Sequence, residues 1–239
     1  MQQIGVKYYD DLKQQIPRHE VESIASTIFR HARAVDQGFE MAIVGGYRRG
    51  KPACGDVDVI LSHRDESQTQ HFIGRLIMAL EESGFISHTL TLTHRNSERG
   101  QDPLVWKGIS GQGPGFDTLD KAMLVWQSPA GQEHDGNGGE DEQRPRRRVD
   151  IIISPWKTVG CAIIGWTGDM TFERDLRRYC KVEKRLKFDS SGIRNRVDGS
   201  WEDFEEGVLG KSPDMLTSEK RVFSGLGLAW RPPEERCTG

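Results

Sequence analysis

The stretch GGYRRGKPACGDVDV, residues 45–59, sets two glycines and two arginines just ahead of two aspartates. Without side chains, Gly45 and Gly46 let backbone N–H groups approach anionic oxygens. Arg48 and Arg49 add forked, permanently charged donors. Asp56 and Asp58 are two apart, so on a strand both carboxylates point to one face. Carboxylates that close repel each other unless a cation sits between them. An anion grip beside a cation seat is what a metal-bound triphosphate requires. A third carboxylate, Asp150, interrupts the β-branched run RRVDIII, where an unpaired charge is costly. If its strand lies beside that of Asp58, three carboxylates converge and can hold two hard cations through oxygen ligands. Taken singly, each aspartate also reads as an edge or turn residue, and Gly-Gly as a simple turn. The combination is the specific signal.

Elements of the right period stand around these residues. Apolar positions Val21, Ile24, Ala25, Ile28, Ala32 and Val35 recur at helical spacing over 17–36, with Pro17 suited to the first turn and Gly38 to the stop. A short strand over 40–44 leads into the glycine pair, and VDVILS alternates as a second strand. A helix is expected over 67–82, then strands over 86–93, near Leu104, over 121–127 and over 147–154. After Pro155 the character changes to helices over 157–166 and 171–182, a small β segment, and a last helix over 218–226. The boundary implied is 1–156 followed by 157–239. Residues 128–144 are rich in glycine and acid without periodicity, and read as a flexible loop.

Composition excludes several classes. The chain has 239 residues, 35% hydrophobic and 29% charged, enough for one large or two small units with a real core. No apolar run approaches a membrane span, and the first residues lack the basic and apolar regions of a signal peptide. The four cysteines (54, 161, 180 and 237) include no CxxC pair, which argues against zinc and for a reducing compartment. Net charge is −3, yet residues 174–196 hold nine Lys/Arg against three Asp/Glu, while 129–142 hold five acids and no base. A locally basic segment can meet phosphate on an acidic protein. It also reads as a solvated helix face.

With these motifs in place, the chain resembles the family X DNA polymerases. GGYRRGKPACGDVDVILSH looks like their palm motif and RRVDIII like the strand of their third aspartate. GWTGDMTFERDLRRYCKVEKRLKFDSSGI looks like the segment that holds the nucleotide and opens the thumb, and SEKRVFSGLGLAWRPPEER like the C-terminal helix and tail. IGVKYYDDLKQQIPRHEVESI resembles the link from fingers to palm. The resemblance implies an α+β fold, a nucleotidyltransferase palm with a mixed β-sheet flanked by helices, plus a small α/β thumb. It places Asp56 and Asp58 on two Mg²⁺ ions, which Mn²⁺ can replace, and Asp150 on the ion serving the primer 3′-hydroxyl. It further puts Arg49, Gly45 and Gly46 on the triphosphate, Gly165 and Trp166 at the sugar, Gly168 among the nucleotide-binding residues, and Glu173 near the incoming base. Arg174, Arg177 and Arg178 would face DNA, in agreement with the basic charge after Gly168.

Family-level expectations follow. Partners are nucleoside triphosphates and a DNA primer-template or broken ends, with end-joining factors engaged through N-terminal regions; the location is the nucleus. The chain starts where the family's lyase and fingers regions would end, so it reads as a palm-plus-thumb portion. Gly165-Trp166 is the form of the mu and terminal-transferase branch, and 129–145 occupies the place of that branch's long loop. Gly55, however, stands where that branch has histidine. Gly165 also implies weak exclusion of ribonucleotides. Two other readings stay open at this point: a nucleotidyltransferase acting on RNA or a small molecule, and an inactive DNA-end-binding module.

Overall fold

The protein is described from a computed structural model covering residues 6–103, 118–129 and 145–237. Its largest sheet is mixed and five-stranded: β2 (Phe39–Ile43), β4 (Val57–His63), β7 (Arg147–Ile153), β6 (Asp120–Trp126) and β5 (Ile86–Thr93), in that spatial order. The central pair β4–β7 is parallel and its neighbours pair antiparallel. A two-stranded ladder joins β1 (Ile16–Pro17) to β3 (Ala53–Cys54).

Strand alternation divides the core. Val57, Val59 and Leu61 of β4, with Val149, Ile151 and Ile153 of β7, face one side. Helices α1 (Arg18–Val35) and α3 (Phe72–Glu82) cover them with Val21, Ile24, Ile28, Leu76 and Leu80. Each such fully buried aliphatic side chain is worth about 1.5–3 kcal/mol. Ile60 and Ile152 point to the opposite face, where they pack with Trp156, Val159, Ala162 and Ile163. Those residues introduce α4 (Val159–Thr167). Asp58 and Asp150 stand two positions before Ile60 and Ile152, so they share this second face where the apolar cover gives out.

A further core gathers α4, α5 (Met170–Glu183), α6 (Met215–Gly225) and the sheet of β8 (Leu186–Asp189), β9 (Gly192–Asn195) and β10 (Trp201–Glu202). Ile164, Cys180, Phe188, Val222 and Phe223 are among its residues. Helices α4 and α6 meet closely at Gly160, where an added Cβ would lie 2.6 Å from Ser218 backbone. The α+β class and the mixed sheet flanked by helices are those expected from the sequence.

Helix starts differ from the periodicity. Helix α3 begins at Phe72, not Ser67, because Asp65 takes the Ser67 N–H at 3.0 Å and His71 adopts φ 54°, turning the chain first. A short 3₁₀ turn, Trp156–Thr158, precedes α4. Helix α6 starts earlier than expected, at Met215, because Asp214 accepts the Thr217 N–H at 2.7 Å as an N-cap. The strand expected near Leu104 and residues 130–144 of the acidic loop lie outside the described residues.

Candidate active site

Glycines 45 and 46 are not an open turn but the first residues of a one-turn helix, α2 (Gly45–Arg48). It follows β2 directly, and its entry is pinned where the Val44 N–H donates to the Asp58 carbonyl at 2.9 Å. Gly45 has φ +59°, and a Cβ there would fall 2.0 Å from Asp58 Oδ2. Glycine is therefore demanded twice, by backbone conformation and by the space the Asp58 carboxylate takes.

The β4–β7 register sets Asp58 directly beside Asp150. Asp56, in the bend just before β4, joins them: one oxygen from each of the three carboxylates lies within 4.8 Å of the others. Burial, then repulsion from Asp150, pushes Asp58 up to about 7, with Arg49 pulling the other way. Burial likewise raises Asp150, against the pull of Arg148 and Lys121. Among the described residues, Asp150 Oδ1 is buried without a hydrogen-bond partner, as is Arg49 Nε. Three clustered oxygens, carboxyls pushed toward protonation and an orphaned acceptor are the marks of a seat for hard cations. The residues fit divalent metal.

Arg148 is a residue that the sequence reading passed over. Its guanidinium pairs with Asp56 and lies 3.8 Å from Asp150 Oδ1. Period-two spacing was the available signal, since Arg148 and Asp150 sit on one face of β7.

The two arginines of the turn, read together from the sequence, part company in the structure. Arg49 donates to the Thr167 carbonyl at the C-terminal end of α4, and its Nε is buried without a partner. It stays close enough to Asp58 to lower that group's pKa. Arg48 turns away, donating to Thr167 Oγ1 at 2.9 Å and, through both terminal nitrogens, to Glu219 at 2.8 Å each. It is committed to a buried ion pair and is not available to an anion. Thr167, absent from the sequence reading, therefore receives both arginines.

The remaining predicted residues lie on α4 and α5 and the link between them. Gly165 is buried inside α4 and Trp166 is half-buried, with Lys121 Nζ 5.5 Å from its ring centroid. Gly168 ends α4 with φ +74°, and a Cβ there would come 2.9 Å from Arg49 Nη1. Asp169 caps α5 by accepting the Phe172 N–H at 2.9 Å. Glu173 lies in the first turn of α5, with its carbonyl accepting from Arg177 Nε at 3.2 Å. Arg174 and Arg178 are exposed on the same helix and Arg177 is half-buried.

A mixed sheet that presents three carboxylates beside a glycine–arginine turn, roofed by a small helical unit, is the palm and thumb of the nucleotidyltransferase type. The chain belongs to the family X DNA polymerases. Residues 15–156 match the family model described as DNA polymerase beta palm, and residues 162–237 that described as DNA polymerase beta thumb. The chain is 30% identical over 98% of its length to DNA polymerase lambda of Arabidopsis thaliana, of which it covers 39%. It is 26% identical to human DNA-directed DNA/RNA polymerase mu and 27% to Xenopus laevis DNA nucleotidylexotransferase, matching 98% and 99% of this chain and 44% of each relative. It thus spans well under half the length of these relatives.

Proposed function

We propose that this chain is a two-metal nucleotidyltransferase that moves a nucleotide from a nucleoside triphosphate to a DNA 3′-hydroxyl, in gap filling or end joining. The observation that carries this reading is the meeting of Asp56, Asp58 and Asp150 beside Gly45 and Arg49. Residues 1–156 serve as the palm and 157–239 as the thumb. Two Mg²⁺ ions, or Mn²⁺ in their place, would act as Lewis acids on the triphosphate and on the attacking hydroxyl.

The chain's own residues do the positioning. Asp56 and Asp58 would hold both ions, and Asp150 would hold the one that serves the primer hydroxyl. Arg49 gives up the Thr167 carbonyl for a phosphate oxygen, a charge-assisted bond of the stronger kind. The backbone at Gly45 and Gly46 lies against the triphosphate. Gly165 and Trp166 border the sugar, Gly168 leaves Arg49 its room, and Glu173 faces the base edge. The basic face of α5, with Arg174, Arg177 and Arg178, takes the DNA strand. Because Gly165 offers no side chain at the sugar, ribonucleotides should be excluded by only about 10²-fold or less. The compartment proposed is the nucleus, and the partners are DNA ends and end-joining factors. No helix among the described residues is long and apolar enough to cross a membrane.

Addition of a labelled nucleotide to primed and unprimed oligonucleotides, with Mg²⁺ or Mn²⁺, tests this reading. Extension confined to primed DNA supports templated polymerisation, and extension of both supports template-independent transfer. Binding of DNA without any addition would leave an inactive end-binding module.

A further inference from the structure

Glu219 is a fully buried carboxylate on α6, and it accepts four hydrogen bonds. Two come from Arg48, one from Arg236 Nη1 at 2.8 Å and one from Trp230 Nε1 at 3.0 Å. Arg236, fully buried as well, also donates through Nε and Nη2 to the Arg231 carbonyl at 3.0 and 2.7 Å. Its guanidinium sits 5.1 Å from the Phe223 ring centroid and 5.6 Å from that of Phe172. The tail also reaches the turn directly, since a Cβ on Gly50 would lie 3.3 Å from Glu234 Cγ. Burial alone would raise Glu219, but the two guanidiniums outweigh it and hold the group below the ordinary carboxylate range.

A buried charge cluster of this kind contributes little net stability over a well-packed apolar one, though breaking it is costly. Its value lies in fixing geometry. Arg48 is the residue next to Arg49, and both donate to Thr167. We infer that the C-terminal tail is a positioning element of the triphosphate site: Arg236 and Trp230 orient Glu219, Glu219 fixes Arg48, and Arg48 sets the turn that presents Arg49. This inference rests on the nucleotidyltransferase reading above. None of Arg48, Glu219, Trp230 or Arg236 touches the triphosphate in this account.

Calorimetric titration with inorganic triphosphate in Mg²⁺, and separately with Mn²⁺ alone, tests it on the protein as it stands. Arg236→Met leaves the neutral Arg48–Glu219 pair in place, and should weaken triphosphate affinity about tenfold, as misplacement of a binding group does. Affinity for Mn²⁺ alone should not change, because the carboxylates are held by β4 and β7. In an Arg49→Ala background Arg236→Met should add nothing, the non-additivity expected of residues acting through one another. Trp230→Phe, which removes one hydrogen bond and keeps an aromatic side chain, should shift affinity in the same direction by less, and serves if Arg236→Met does not fold. Wild-type binding with unaltered affinity in the folded variants, or effects that add to Arg49→Ala, would overturn the positioning role and leave the proposed function standing. Absence of triphosphate binding by the wild type would overturn both.

Discussion

Arg48 and Arg49 are neighbours in sequence, yet they serve two acidic clusters built on opposite principles. Around Arg48, the single carboxylate of Glu219 is saturated by two guanidiniums and an indole, all from the chain itself. Around Arg49, three carboxylates crowd together: burial and then repulsion from Asp150 push Asp58 up to about 7, and Asp150 keeps an oxygen without a hydrogen-bond partner among the described residues. The first cluster is complete and holds the fold. The second is incomplete and calls for ligands from outside. Compensation of charge, more than the presence of acids, separates a structural network from a site.

If that contrast is right, substitutions in the two clusters fail in different ways. Asp150→Ala should cut nucleotide addition at least about 10³-fold, the scale of losing a group that acts on developing charge. The same change should leave thermal stability equal to or above wild type, because it removes a buried, poorly compensated carboxylate. A thermal melt beside a primer-extension assay checks both halves, and near-normal turnover would mean the site is misassigned. Glu219→Ala should do the reverse. It strands the buried Arg236 and the half-buried Arg48 and should cost about 3–5 kcal/mol, the cost of leaving a buried charge unpaired. Denaturant unfolding measures it, and a loss below about 1 kcal/mol would place the pair among the weak surface type.

Gly45→Ala sharpens the comparison at the boundary of the second cluster. The added methyl would meet Asp58 Oδ2, and the backbone would be strained by about 1–3 kcal/mol. Stability should fall by that amount and Mn²⁺ affinity should drop with it. A drop in stability with full Mn²⁺ affinity would show that Asp58 is not the group displaced.

The smallest effect per unit of pH or per substitution is expected from Glu205, another buried carboxylate that lies between the two extremes. Its carboxylate accepts the Gly160 and Cys161 N–H groups at 2.6 and 3.0 Å at the start of α4, while Arg221 Nη1 donates at 2.7 Å to its backbone carbonyl and not to the carboxylate. Burial pushes it from an ordinary value near 4.5 up to about 8. The folded protein therefore holds a proton there that the unfolded chain releases earlier. Stability should fall as pH rises through that window, by at most about 1.4 kcal/mol per pH unit. Asp58 contributes with the same sign, so the informative comparison is wild type against Glu205→Gln, whose slope should be shallower. Identical slopes would assign the pH dependence elsewhere.

How far the sequence could reveal all this follows from distance along the chain. The carboxylate pair stands out by its spacing of two, although only Asp58 lies on β4 and Asp56 reaches the cluster from the bend before it, not by strand alternation. Asp150 stands out as a charge in a β-branched run. Alternation along β7 could have revealed Arg148, and the lesson is to read both neighbours at i±2 of a buried acid. The fate of Arg48 was not readable. Its partner lies 171 residues away on another unit, and nothing local distinguishes it from Arg49. Helix starts were misjudged for a similar reason, since the Asp65 and Asp214 side-chain bonds decide them and periodicity does not register caps.

On the proposed function, Asp56, Asp58 and Asp150 are an unfinished site completed by divalent cations and a triphosphate. Anomalous diffraction at the manganese edge, from crystals grown with Mn²⁺ and a non-hydrolysable deoxynucleoside triphosphate, tests it most directly. The account predicts manganese peaks within about 2.0–2.6 Å of carboxylate oxygens of Asp56 and Asp58, and of Asp150 when both ions are held. Arg148 should then have swung off Asp56, and Arg49 should have left Thr167 for a phosphate. Arg148 still bridging Asp56 and Asp150, with no manganese among the three carboxylates, would contradict it.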